Sequence, residues 1–296
     1  RQGYWGWGAC LADFNNDGHL DIYHENGFNN ETLAGDFHDD PARFFVADGN
    51  QGFTESSASA GLTFTGQGRG ISCVDYDLDG DLDILIIPNN EAYRLYENTT
   101  SNSHHYLQVN LFDSAPNPFA LGSKIKLNTP GMSQLREVSS ANNYVSNNPL
   151  QQHFGLGNTT QIDSLEVTWP NGPTHIINSQ LSADTNISVG RFCHTRFLSR
   201  IIDPEQDNTL ALYLHQADGS PLTGTQVQLT VFKGPGTGTV LNGTSDGSGQ
   251  VSFQLSHSVN GTDRLRYEFT HNNQPHRCLA LARWEVDIIF ADGFGD

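Results

Sequence analysis

Apolar and polar residues alternate with period two through most of the C-terminal half of the chain. Leu210-Ala-Leu-Tyr-Leu, Gln226-Val-Gln-Leu-Thr-Val-Phe, Gln250-Val-Ser-Phe-Gln-Leu and Arg264-Leu-Arg-Tyr-Glu-Phe each put every second side chain on one face. That is the pattern of a half-buried strand, and turn clusters such as Asp218-Gly and Asp246-Gly separate the runs. Between about Tyr106 and Gly190, Leu107-Gln-Val-Asn-Leu, Lys124-Ile-Lys-Leu and Ser164-Leu-Glu-Val-Thr-Trp predict further strands. Nearer the N-terminus the runs are shorter. Ala42-Arg-Phe-Phe-Val-Ala followed by Gly52-Phe-Thr-Glu predicts a hairpin, Ile84-Leu-Ile-Ile a strand, and Ala92-Tyr-Arg-Leu-Tyr-Glu another. No run approaches the roughly 18 apolar residues of a membrane-spanning helix. The expectation is an all-β fold.

An internal repeat organises the first hundred residues. Asp13-Phe-Asn-Asn-Asp-Gly-His-Leu-Asp-Ile returns 62 residues later as Asp75-Tyr-Asp-Leu-Asp-Gly-Asp-Leu-Asp-Ile. A glycine-rich approach precedes each copy, Gly3-Tyr-Trp-Gly-Trp-Gly and Gly66-Gln-Gly-Arg-Gly, and a β-type run follows. A unit of about 60 residues with some four short strands has the size of a propeller blade.

The repeated loop carries the clearest chemistry. Calcium takes six to eight oxygen ligands, and a nine-residue loop with side-chain oxygens at positions one, three, five and nine supplies most of them. Loop one offers Asp13, Asn15, Asp17 and Asp21, with the backbone carbonyl of His19 at position seven. Loop two offers Asp75, Asp77, Asp79 and Asp83, with the carbonyl of Asp81. Gly18 and Gly80 stand sixth, where the chain must turn sharply to bring the ninth carboxylate back. An EF-hand would need a glutamate at position twelve on an exiting helix, but His24 and Ile86 occupy that place. Magnesium demands tighter octahedral geometry and keeps more water, so two calcium sites are expected.

Composition narrows the function classes. The 296 residues carry 15 Lys and Arg against 33 Asp and Glu, a formal charge of -18. That balance argues against nucleic acid and anionic membrane surfaces, and no membrane insertion is expected. The four cysteines allow three pairings, and Cys193 and Cys278, which flank the last set of strands, are the expected pair.

Both loops and their surroundings resemble the FG-GAP/VCBS repeats of integrin-type and bacterial extracellular β-propellers. Ala58-Ser-Ala-Gly-Leu through Thr65-Gly-Gln-Gly-Arg-Gly to Arg94-Leu-Tyr-Glu-Asn looks like one full repeat of the kind that precedes an ASPIC/UnbV domain. The pattern of that domain follows in Gly122-Ser-Lys-Ile, Gln134-Leu-Arg-Glu-Val, Gln152-His-Phe-Gly-Leu-Gly and Asp163-Ser-Leu-Glu-Val-Thr-Trp-Pro-Asn-Gly. Ser139-Ser-Ala-Asn-Asn-Tyr departs from it by lacking glycines. Asp218-Gly-Ser-Pro-Leu, Val227-Gln-Leu and Asp246-Gly-Ser-Gly-Gln-Val-Ser-Phe are similar to bacterial Ig-like domains. The resemblance implies a partial β-propeller of two calcium-binding blades over residues 1–104, a β-rich ASPIC/UnbV module over 105–190 and an Ig-like β-sandwich over 191–296.

No convergent catalytic set is evident, and a non-enzymatic protein is expected. Gly243-Thr-Ser-Asp-Gly satisfies G-x-S-x-G, but a nucleophile elbow requires a helix to follow and a strand is predicted. The glycines of Gly66-Gln-Gly-Arg-Gly precede no helix that could present amides to phosphate. His104-His105 reads as a linker pair, Trp5 and Trp7 as packing residues, and six N-x-S/T sequons at Asn30, Asn98, Asn158, Asn186, Asn242 and Asn260 as uninformative. The expected function is an extracellular, calcium-binding structural or adhesive protein whose partner is an extracellular protein, a glycan or further copies of itself. The alternative is a carbohydrate-binding accessory region of a larger secreted enzyme. Because two blades cannot close a ring, either further blades lie upstream or copies assemble head to tail, with Trp284-Glu-Val-Asp-Ile-Ile-Phe as the pairing strand.

Overall fold

The computed structural model describes residues 6–28, 40–113, 116–197, 208–256 and 259–284, and every helix or strand among them is a strand. The fold is all-β. Residues 285–296, which include most of the expected pairing strand, lie outside the described residues, as do Trp5 and Asn30. The chain forms two compact units, Arg1–Gln108 with Lys126–Asp163, and Val109–Ile125 with Ser164–Asp296.

In the first unit, strands β1 (Ala9–Ala12), β2 (Asp21–His24), β3 (Arg43–Ala47) and β4 (Phe53–Glu55) form an antiparallel meander. β5 (Gly70–Val74), β6 (Asp83–Ile87) and β7 (Arg94–Tyr96) form a second. Loop one joins β1 to β2, and loop two joins β5 to β6, so the sequence repeat is a repeat of structure. The expected hairpin is β3 with β4. Tyr23, Ile71, Ile84 and Ile86 fill the core, and a Cys10–Cys73 disulfide ties β1 to β5.

β1 and β5 end their sheets, and their outer backbone groups are covered by side chains of an asparagine-rich loop. Asn143 Oδ1 accepts from the Ala9 amide at 3.0 Å and Asn148 Oδ1 from the Cys73 amide at 3.0 Å. Ser146 Oγ accepts from the Ile71 amide at 3.0 Å, while Asn143 Nδ2 donates to the Ile71 carbonyl at 3.0 Å. The segment that lacks glycines thus uses its amides to satisfy strand edges, which blocks the pairing that bare edges invite.

The remaining strands are β8 (His105–Leu111), β9 (Lys124–Thr129), β10 (Met132–Glu137), β11 (Gln152–Gly157), β12 (Ser164–Thr168), β13 (Thr174–Ile177), β14 (Thr185–Gly190) and β15 (Cys193–Phe197). They are followed by β16 (Asn208–Leu214), β17 (Gln226–Lys233), β18 (Val240–Thr244), β19 (Gln250–Leu255), β20 (Gly261–His271) and β21 (Gln274–Trp284). They build sheets in the orders β10-β9-β12-β13, β11-β8-β14-β15-β16-β19 and β18-β17-β20-β21, none closed on itself. The six-stranded sheet continues past Gly190, because Arg191 and Phe192 make a tight turn that returns β15 against β14. The period-two runs bury their apolar face as read: Leu212, Leu229, Val251 and Leu265 meet in one core. The expected Cys193–Cys278 disulfide closes β15 onto β21.

Candidate metal centre

The two loops share four hydrogen bonds, position for position. The sixth-position amide donates to the first carboxylate, Gly18 N to Asp13 Oδ2 at 2.8 Å and Gly80 N to Asp75 Oδ2 at 3.0 Å. The fifth amide donates to the third side chain, Asp17 to Asn15 Oδ1 at 3.1 Å and Asp79 to Asp77 Oδ1 at 3.2 Å. The seventh amide donates to the fifth carboxylate at 2.8 Å in both. The second amide donates to the ninth carboxylate, Phe14 to Asp21 Oδ2 at 3.1 Å and Tyr76 to Asp83 Oδ2 at 3.0 Å. Since Asp21 and Asp83 open β2 and β6, the strands hold them in place.

The tight turn needs left-handed backbone at two positions. Asn16 and Leu78, fourth in each loop, have φ of 58° and 65°, and Gly18 and Gly80 have 92° and 97°. A Cβ on Gly18 would collide with the Met132 thioether and one on Gly80 with the Tyr106 ring, so both positions need glycine twice over.

The first and ninth carboxylates are the buried ones. Asp13, Asp21, Asp75 and Asp83 are all 6% exposed or less. Burial, opposed by the Gly18 amide and reinforced by Asp17 and Asp21, pushes Asp13 up to about 7. Burial likewise raises Asp21 to about 6 against the Ala47 and Phe14 amides, and raises Asp83 against those of Asn98 and Tyr76. A carboxylate taken out of water and placed near its own kind favours its proton unless a cation replaces it. In loop two, Asp75, Asp77 and Asp83 bring carboxylate oxygens within 4.8 Å of one another. Loop one puts an amide at the third position, and Asn15 Nδ2 donates to Asp17 Oδ2 at 3.1 Å. The donor atoms are all hard oxygens, without imidazole or thiolate, so the set fits calcium and not a softer transition metal.

Behind the loops stand residues that local sequence reading did not single out. Gln108 of β8 donates Nε2 to Asp75 Oδ2 at 2.7 Å. Gly155 of β11 lies so close to loop one that a Cβ would collide with Asp13 Oδ2. Asn16 accepts the Gly157 amide on its carbonyl at 2.7 Å and faces His153 Nε2 through Oδ1 at 2.6 Å. His153, Gly155 and Gly157 all belong to Gln152-His-Phe-Gly-Leu-Gly, whose two glycines were the available signal.

That run also sits in the segment for which known proteins offer a match. Residues 113–191 match the ASPIC and UnbV family model. The ASPIC/UnbV match therefore contributes His153, Gly155 and Gly157 to the wall behind loop one. Over 180 residues the chain is 29% identical to cartilage acidic protein 1 of Xenopus tropicalis, covering 55% of this chain and 25% of that one. Against the Homo sapiens protein it is 29% identical over 202 residues, covering 66% and 29%. The chain thus spans only about a quarter of the length of these curated relatives. Among solved structures, an alpha-2-macroglobulin from Salmonella overlaps 96% of this chain and 21% of its own, with TM-score 0.27 and 10% identity.

The other candidates have structural roles. His104 Nδ1 lies 2.8 Å from the Asn15 carbonyl, and His105 opens β8. Trp7 donates Nε1 to the Gly27 carbonyl at 2.8 Å and stacks under the Arg69 guanidinium at 4.1 Å. Ser245 donates Oγ to the Leu222 carbonyl at 2.7 Å and accepts the Thr225 amide, and β19 follows it instead of a helix. Among the sequon asparagines, Asn98 is held in place: its Nδ2 donates to the Phe14 carbonyl at 2.7 Å and to that of Leu82 at 3.1 Å.

Proposed function

We propose that the chain is an extracellular, calcium-binding structural or adhesive module in which each loop holds one Ca2+. One observation carries the reading: the converging carboxylates of Asp75, Asp77 and Asp83 sit in a loop whose main hydrogen bonds are repeated around Asp13 and Asp21. Asp75, Asp77, Asp79 and Asp83 with the Asp81 carbonyl would hold one ion, and Asp13, Asn15, Asp17 and Asp21 with the His19 carbonyl the other. The ion supplies positive charge where buried carboxylates repel; the protein supplies pre-set oxygens. The two meanders serve in this reading as propeller-type blades of the FG-GAP/VCBS kind, and the core of β16, β17, β19, β20 and β21 as an Ig-like sandwich. Two disulfides support an oxidising, extracellular setting. Calorimetric titration of the chelator-stripped chain should give two equivalents of calcium. No heat, with an unchanged melting temperature in EGTA, refutes the reading.

A glycan-binding role is the second reading, favoured by a cleft of about 1400 Å³ in the second unit, lined by Gln226, Gln228, Asn242, Glu268 and Arg277 beside Phe269. Amides, charges and the rings of Phe112 and Phe192 suit a sugar. A glycan array read with and without calcium tests it, and silence in both arms ends it.

A further inference from the structure

The side chain of Asn16 bonds loop one directly to loop two. Asn16 is 2% exposed, and its left-handed backbone carries the amide out of loop one towards loop two. Asn16 Nδ2 donates to Asp81 Oδ1 at 2.7 Å and to the Gly80 carbonyl at 3.4 Å. Its Oδ1 lies 2.6 Å from His153 Nε2.

His153 meets the other end of that amide. Its ring is 8% exposed and stacks on Tyr106 with centroids 6.0 Å apart and planes 14° from parallel. Asp81 Oδ1 and the Gly80 carbonyl can only accept, so the NH2 of Asn16 must face loop two and its Oδ1 the histidine, whose Nε2 then carries the hydrogen that it donates. Loop two cannot return the contact in kind, because Leu78 fills the equivalent fourth position. A second tie runs through Asn98, whose Nδ2 bonds one carbonyl of each loop segment and whose backbone amide donates to Asp83 Oδ1 at 2.8 Å.

The atoms bonded by Asn16 are those that shape positions six and seven of loop two, where the Asp81 carbonyl would meet the ion. An ion that orders loop one therefore orders that turn in advance and removes part of the entropy loop two would lose on filling. Linkage makes the effect reciprocal. We propose that Asn16, held by His153, is a positioning residue that couples the two loops, so that filling either site raises the affinity of the other.

This rests on the calcium reading, and the experiment separates the two. Asn16→Gly keeps the left-handed backbone and removes the amide, whereas Asn16→Asp sets a carboxylate against Asp81. Calcium titration of the full chain should show each loop binding about fivefold or more tightly than it does in the variant whose other loop is emptied, Asp13→Ala or Asp75→Ala. Asn16→Gly should abolish that gain and leave independent sites. Hydrogen exchange in chelator gives the metal-free arm: amides 79–83 should lose protection in Asn16→Gly and more in Asn16→Asp. Independent sites in the wild type, or unchanged exchange at 79–83 in Asn16→Gly, overturn the coupling. If no variant binds calcium, the calcium reading falls and the exchange comparison still decides whether Asn16 joins the loops.

Discussion

Position three of the loop shows how much one atom can set. Asp77 and Asn15 are isosteric, yet one brings a full charge to the ion and the other a dipole. Loop two should bind calcium more tightly, so Asp75→Ala should abolish the tighter phase of a titration and Asp13→Ala the weaker. Equal affinities in the two variants would count against this. Asp13 and Asp21 add a proton linkage of definite sign. Their folded values, about 7 and about 6, lie above the 3.8 of a free carboxyl, so the metal-free folded chain holds protons that the unfolded chain releases. The contribution of these two groups to metal-free stability is therefore fully present below about 4 and is lost as pH rises to about 7. Calcium must displace those protons. Its apparent affinity should rise between pH 5 and 7, with proton release seen as a dependence of binding heat on the buffer's ionisation enthalpy; a flat profile would remove the proton from the site.

At the scale of elements, the edges of β1 and β5 hold because Asn143, Ser146 and Asn148 satisfy their backbone groups. The double substitution Asn143→Ala, Asn148→Ala leaves an amide on each of Ala9 and Cys73 without its side-chain acceptor, at a cost of about 1–3 kcal/mol for each such group that is buried. The variant should associate at concentrations where the parent does not, which light scattering detects. The Cys193–Cys278 bridge closes an 85-residue span and pins β15 to β21. Cys193→Ser, Cys278→Ser should lower stability by about 2–5 kcal/mol, read from chemical denaturation of the second unit, and no change would assign the bridge a minor role.

For the molecule as a whole, calcium should stabilise the unit that contains both loops and leave the other unmoved. A ligand present at a hundredfold excess over its Kd adds about 2.7 kcal/mol per site. Calorimetric melts in calcium and in EGTA should thus show one transition that shifts and one that does not, at matched ionic strength. A shift of both, or of neither, contradicts the assignment.

The local features of this protein were legible because their determinants lie within a few residues. The ligand pattern of each loop occupies nine positions, the period-two runs declare their own buried face, and the glycines at 18 and 80 mark where the chain must reverse. Tertiary structure alone decided the rest. His153 reaches Asn16 across 137 positions, and Asn148 reaches Cys73 across 75. Short-range propensity carries no record of such pairs, since each partner would be acceptable in many folds. The turn at Arg191 and Phe192 that carries one sheet across Gly190 was equally hidden, because a tight turn and a domain boundary look alike until the strands on either side find their partners. Which oxygens the loops present is written in their own residues, and how they are held and joined depends on strands folded from far along the chain.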